Sequence, residues 1–298
     1  DRAVAAGGPL GPLHGVPVTV KENIDVAGTP TTQSIPALAG AIADRDAPLV
    51  ERARLAGAIP IGRTNLPDGG LRVTTESSLH GNTLNPWNAA LTTGGSSGGE
   101  GAALATGMSP LGFGNDIGGS LRNPAHCCGI ASIKPTVGVV PTDTVVPPDV
   151  HALAAQFMLT DGTMARHVAD VRAGLLAIAG AHDRDVHSLP VRLVDRAAGR
   201  ALRVAVLPDP PGGSTHPDIS AAVVRAANAL AAAGAEVTHA EPPMYVRTIE
   251  LWMRLLAEDI RWQRPLLDMV MGEDGKRFLD HAQSMLAPVA IGEFLDRK

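Results

Sequence analysis

With 298 residues, 45% hydrophobic content and a formal net charge of −5, the chain holds enough apolar material for a substantial core in one large domain or two small ones. Its charges are scattered with no basic block, which argues against a nucleic acid as partner. No apolar run reaches the roughly 20 residues needed to span a bilayer.

The elements read in chain order as follows. Residues 17–20 alternate in the manner of a strand, with Lys21 at its end. Glu22 then falls on the opposite face, which keeps its charge away from the lysine. Asp46-Ala47-Pro48 opens a helix that runs to about Ala56, Gly57 stops it, and residues 58–61 give the next strand. Residues 63–85 are polar and irregular, and are expected as a loop outside the core that shapes a binding site. Residues 99–108, rich in Ala and Gly, predict a tightly packed helix, and 110–115 a short strand. Further on come a helix over 165–179, a charged surface loop over 182–200 and a strand over 202–207. A helix over 217–233, a strand over 236–239 and a mostly helical stretch over 249–271 follow, the last kinked or broken at Pro265. A βαβ pattern of this kind predicts an α/β fold, a mixed β-sheet core covered by helices on both faces.

The chemistry concentrates in residues 94–122, GGSSGGEGAALATGMSPLGFGNDIGGSLR. Two serine-bearing glycine clusters, centred on Ser96 and Ser120, lie 24 residues apart and frame the predicted helix and strand. Glycines around a serine expose its hydroxyl and leave backbone N–H groups to hold a developing oxyanion. A serine nucleophile needs a base, and Lys21 stands ready at a strand end. The pattern is that of a serine hydrolase with lysine in place of histidine. Asp116 threatens such a base by raising its pKa, and Arg122, six residues on, is expected to neutralise that carboxylate and fix the turn. No metal or cofactor is expected: ten histidines are dispersed without HExxH or paired CxxC spacing, and His126 beside Cys127 and Cys128 lacks the convergent ligands of a site. Those two cysteines are adjacent, a spacing at which a disulfide is strained, so free thiols in a reducing cytoplasm are expected.

LGPLHGVPVTVKENIDVAG, GGSSGGEGA and GNDIGGSLRNPAHCCGIASIKPT resemble the amidase signature family of serine amidases. The resemblance is dense over residues 11–141, the expected catalytic core of a single 1–298 amidase domain. It implies Ser120 as nucleophile, Ser96 as a bridging residue joined through an unusual cis peptide, and Lys21 as base. On that reading Ile117, Gly118 and Gly119, with Ser120 itself, supply the oxyanion hole, and Ser97 bonds nearby backbone. Gly69, Gly70, Leu71 and Thr74 occupy the loop that flanks the nucleophile in similar enzymes and are the expected substrate contacts. Trp87 in Asn85-Pro86-Trp87 is expected to pack rather than bind. The family has further sheet and helix before and after the matching region, so the chain is expected to be a piece of a longer protein lacking N- and C-terminal parts. The implied partner is a small-molecule amide, with a homodimer among the possible assemblies. Two other readings stay open: a glutamine-hydrolysing amidotransferase subunit, which shares the triad, and a nucleotide-binding module or non-catalytic remnant. Against the module, Gly112-x-Gly114-x-x-x-Gly118 misses dinucleotide spacing by one residue and GxxxxGK[ST] is absent.

Overall fold

The computed structural model describes residues 2–144, 152–191, 193, 201–284 and 288. Part of the 182–200 loop lies outside them. The chain divides into two compact units, Asp1–Leu193 with Asp259–Ala287, and Val194–Glu258 with Pro288–Lys298.

The first unit opens with a short helix, α1 (Arg2–Ala5), and continues through β1 (Pro17–Lys21), α2 (Pro48–Leu55), β2 (Ile59–Thr64) and a two-stranded hairpin of β3 (Glu76–Ser77) and β4 (Gly81–Asn82). Next come α3 (Gly98–Ala105), β5 (Leu111–Asp116), α4 (Arg122–Cys128), β6 (Ala131–Ser132), α5 (Leu153–Met158), β7 (Thr160–Ala165) and α6 (Val168–Ile178). The main sheet runs β2-β1-β5-β7-β6, with β1 parallel to β2 and β5, and β7 antiparallel to β5 and β6. It is therefore mixed, as the α/β reading expected.

Alternation along the strands separates the two faces of this sheet. Val18 and Val20 of β1 and Leu111 and Phe113 of β5 join Leu49, Val50 and Ala53 of α2 and Val171, Leu175 and Ile178 of α6 in one apolar core. The other set, Thr19 and Lys21 on β1 with Gly112 and Gly114 on β5, meets α3. There Glu100 bonds Thr19, and a Cβ on Gly114 would sit 2.8 Å from Ser97 Oγ. Burying that polar face under a helix is what places the chemistry inside the protein.

Three expectations are corrected. The helix foreseen from residue 165 begins at Val168, and the residues before it form β7, fully buried. Its sequence TDGTMA is a poor strand former, but Gly162 lets the strand pass where a Cβ would lie 2.4 Å from the Ile133 carbonyl. The 63–85 segment is not outside the core, because Leu66, Asp68, Thr75, Ser77 and Asn85 are buried. Its polar groups go inside with partners: Asp68 accepts from Ser78 N–H at 2.7 Å and Ser78 Oγ at 2.5 Å, and Asn85 donates to the Thr92 and Cys127 carbonyls. Pro265 neither breaks nor ends α8 (Tyr245–Val270). Arg264 beside it bonds Asp268 at 2.7 Å and Asp280 of α9 (Glu273–Ser284) at 2.7 Å, bracing the helix at that point.

In the second unit, β8 (Arg203–Val206) and β9 (Glu236–His239) pair in parallel through α7 (Pro217–Ala232), the expected βαβ unit. Among the described residues no helix is long and apolar enough to cross a membrane.

Candidate active site

Lys21 ends β1 wholly buried, in register with Thr64 of β2. Its Nζ donates to Ser96 Oγ at 2.7 Å and to Asn115 Oδ1 at 2.6 Å. Asn115 is itself oriented by Asn23, which accepts from Asn115 Nδ2 at 3.1 Å. Burial away from water brings the ammonium pKa down from 10.5 to about 7, against the opposing pull of Asp116, Asp161 and Glu100. An amine in that range is substantially unprotonated at neutral pH, the state a base requires.

Ser96 is buried at the turn into α3, and its peptide bond from Gly95 is cis. The backbone in front of it is crowded: a Cβ on Gly95 would lie 2.7 Å from the Arg72 and Thr74 carbonyls, so glycine is required there. Ser97 turns away from the lysine. Its hydroxyl donates to the Asn115 carbonyl at 3.4 Å, and its N–H donates to the Ser120 carbonyl at 3.1 Å. That last bond ties the two serine clusters together. Ser120 is half-buried in the loop between β5 and α4. Among the described residues no hydrogen bond joins Ser96 Oγ to Ser120 Oγ, so the chain of bonds stands complete from Lys21 to Ser96.

Asp116 organises the loop that carries Ser120. Burial pushes its carboxyl up, but Arg122 and the Leu121 and Gly119 N–H groups outweigh this and hold it below the usual range. Arg122 grips it with two bonds, Nε to Oδ2 at 3.0 Å and Nη2 to Oδ1 at 2.9 Å. The Gly119 N–H, expected among the oxyanion donors, instead donates to Asp116 Oδ1 at 2.7 Å. Ile117 is half-buried and Gly118 exposed, beside the serine.

Of the expected substrate contacts, Gly70 lies beside Ser96: a Cβ on it would lie 3.5 Å from Ser96 Oγ, and its φ of +71° suits glycine. Leu71 packs by Gly69, and the Thr74 backbone lies against Gly95. Thr74 also lines a cleft of about 310 Å³ with Glu76, Asn82, Leu84 and Thr92, which includes none of Lys21, Ser96 and Ser120. Trp87, expected to pack, is 71% exposed and donates its indole N–H to the Cys128 carbonyl at 2.8 Å, so it lies outside the core. Cys127 and Cys128 are free thiols.

Sequence reasoning missed Asn115, Asn23, Glu100 and Asp161. Asp161 sits on the unforeseen β7, fully buried, its pKa raised to about 7 by burial. Glu100 offered a signal, a lone acid in the apolar run GGEGAALA, and it is buried on α3 between Thr19 and Thr64.

Comparison with known proteins identifies the family. The family model Amidase matches residues 1–285. The chain is 42% identical over 275 residues to indoleacetamide hydrolase of Bradyrhizobium diazoefficiens, covering 92% of this chain and 52% of that protein. It is 32% identical over 312 aligned positions to a glutamyl-tRNA(Gln) amidotransferase subunit of Salinispora arenicola, covering 100% of this chain and 62% of that one. It superposes on 6-aminohexanoate cyclic dimer hydrolase complexed with substrate with a TM-score of 0.78 at 31% identity, over 96% of this chain and 63% of that one. The chain spans about half the length of the first of these relatives.

Proposed function

Because the chain belongs to the amidase family, we propose that its protein hydrolyses the C–N bond of a carboxylic amide through an acyl-enzyme on Ser120. The observation that carries this reading is the buried contact of Lys21 Nζ with Ser96 Oγ at 2.7 Å, an amine lowered to about 7 and aimed at a serine. Neutral Lys21 takes the Ser96 proton as Ser96 takes that of Ser120, and Ser120 Oγ attacks the amide carbon. The tetrahedral oxyanion is received by the N–H groups of Ile117, Gly118 and Ser120, while Gly119 supports them indirectly by holding Asp116. Collapse breaks the C–N bond, and the proton returned through Ser96 leaves with ammonia or the amine. Water then attacks the acyl group, the same relay removes its proton, and the acid and free Ser120 are released. Gly70, Leu71 and Thr74 border the acyl group, and the substrate class is a small-molecule amide.

The test is intact mass after exposure to a fluorophosphonate, beside Ser120→Ala and Lys21→Ala. A single adduct on Ser120, lost in both variants, supports the mechanism; an adduct that persists in Ser120→Ala overturns the assignment of the nucleophile. The likeness of the whole chain to an amidotransferase subunit favours one second reading, ammonia release from glutamine. Glutaminase activity exceeding turnover of simple amides would select it.

A further inference from the structure

The carboxylates acting on Lys21 are not equivalent. Asp116, at the end of β5, is matched by the Arg122 guanidinium. Asp161 on β7 accepts from Thr142 Oγ1 at 3.3 Å through one oxygen and faces the Asn115 side chain. Glu100 on α3 is different, because both its oxygens are held and neither is paired with a cation. Thr19 Oγ1 donates to Oε2 at 2.7 Å and Thr64 Oγ1 donates to Oε1 at 2.8 Å.

Those two threonines fix where the carboxylate lies. Thr19 precedes Lys21 by two residues and so shares its face of β1. Thr64 is the residue paired with Lys21 across to β2. The carboxylate is thus clamped at the root of the lysine side chain. Room for it is made by β5: Gly112, in register with Thr19, has no side chain where a Cβ would lie 2.1 Å from Glu100 Oε2 and 3.2 Å from Thr19 Oγ1. Three strands and a helix thus contribute to one buried acid, more than simple packing of α3 would need. The cations it senses are Lys21 and Arg63 of β2; the guanidinium of Arg63 is occupied with the Lys21 and Ile24 carbonyls and Thr29.

We propose that Glu100 is a positioning residue for the Lys21 amine: alongside the larger pulls of Asp116 and Asp161, its clamped charge opposes the desolvation of the lysine and raises the pH above which the free base exists. The inference rests on the amidase reading for its catalytic meaning, though not for its electrostatics. Burial raises the Glu100 carboxyl to about 7, so acid and amine exchange protons in the same range and titrate as a pair. Two opposing demands are met together. Burial alone drives the lysine toward an amine too weak to take a serine proton, and a charge at its root restores basicity without a direct ion pair that would lock it as ammonium.

The chain has four lysines, Lys21, Lys134, Lys276 and Lys298, so their ¹³Cε signals can be followed individually through a pH titration, with Lys21 assigned by its loss in Lys21→Met. In Glu100→Gln the Lys21 midpoint should fall by at least about half a unit, roughly threefold more free amine at a given pH. Thr64→Val, which leaves the acid in place but removes one donor, should move it the same way by less. A Lys21 midpoint unmoved or raised in folded Glu100→Gln, or in Thr64→Val should the first not fold, overturns the proposal. The acid limb of kcat/KM toward an amide, measured in parallel, should follow the lysine. If the midpoint falls and the limb does not, the positioning role stands and the assignment of Lys21 as base fails.

Discussion

Replacing Arg122 with Met tests the architecture of the nucleophile loop. The substitution keeps an unbranched apolar stem and removes both side-chain bonds to Asp116. Breaking a buried ion pair can cost about 3–5 kcal/mol when the surviving charge is stranded. Here it is not stranded. Asp116 still accepts from the N–H of Gly119 at 2.7 Å, Leu121 at 3.0 Å and residue 122 itself at 3.4 Å. The Arg122 side chain is also 57% exposed, so water already competes for its guanidinium. The loss should therefore be nearer that of one charged hydrogen bond, about 1.5–2 kcal/mol, or ~3–8 °C in melting temperature. A second effect follows from the same deletion. An Asp116 charge no longer balanced by Arg122 raises the pKa of Lys21, so the acid limb of kcat/KM moves to higher pH, opposite to the shift expected for Glu100→Gln. Differential scanning calorimetry and a pH-rate profile read the two effects separately. An unchanged melting temperature together with an unmoved limb would refute the assigned role of the pair.

Two further substitutions probe the relay and the pocket. Ser96→Ala removes the group that accepts from Lys21 and should lower kcat by ~10²–10³-fold with little change in KM, and slow fluorophosphonate labelling by a similar factor; labelling at the normal rate would show that Lys21 reaches Ser120 without it. Gly70→Ala places a methyl 3.5 Å from Ser96 Oγ at a φ of +71°, with a strain of about 1 kcal/mol. It should raise KM more than it lowers kcat, and a kcat effect alone would separate Gly70 from substrate binding.

The two serine clusters and the lysine strand that the structure brings together were legible because each is local: a strand running into a lysine, and glycine clusters carrying serines, are patterns within a few residues. The Asp116–Arg122 pair was legible for the same reason, six residues across one loop. The groups that tune the lysine were not. Glu100 meets Thr64 only because α3 lies across the sheet, and Asp161 arrives on a strand whose polar sequence has no strand propensity of its own. Gly112 reads as a loose phosphate-loop glycine until Glu100 is seen in the space it leaves. The buried polar residues of the 63–85 segment share this property: their burial follows from partners distant in sequence, as with Thr75 donating to the Gly94 carbonyl and Asn85 to the Cys127 carbonyl.

The same tuning should be visible in stability. Lys21 has a folded pKa of about 7 against 10.5 for a free lysine side chain. Between those values the unfolded chain holds a proton that the native chain has released, so native stability from this group rises with pH over that interval. Below about 7 the native lysine is protonated and that contribution is gone. Glu100 and Asp161 act in the other sense. Their folded pKa values, about 7, lie above the 4.5 and 3.8 of the free groups. From roughly pH 4 to 7 the native state therefore holds protons the unfolded state has lost, and stability falls as pH rises. The three groups together give a minimum near neutrality, where the amine must be free to work. Lys21→Met removes the rising limb and, by taking away a cation that holds them down, raises the Glu100 and Asp161 carboxyls further. Measured by urea denaturation, wild type minus variant should gain about 1 kcal/mol per pH unit from pH 7 to 10. A difference that stays flat across that window would mean that Lys21 is charged in the folded protein, and the base assigned to the reaction would have to be another group.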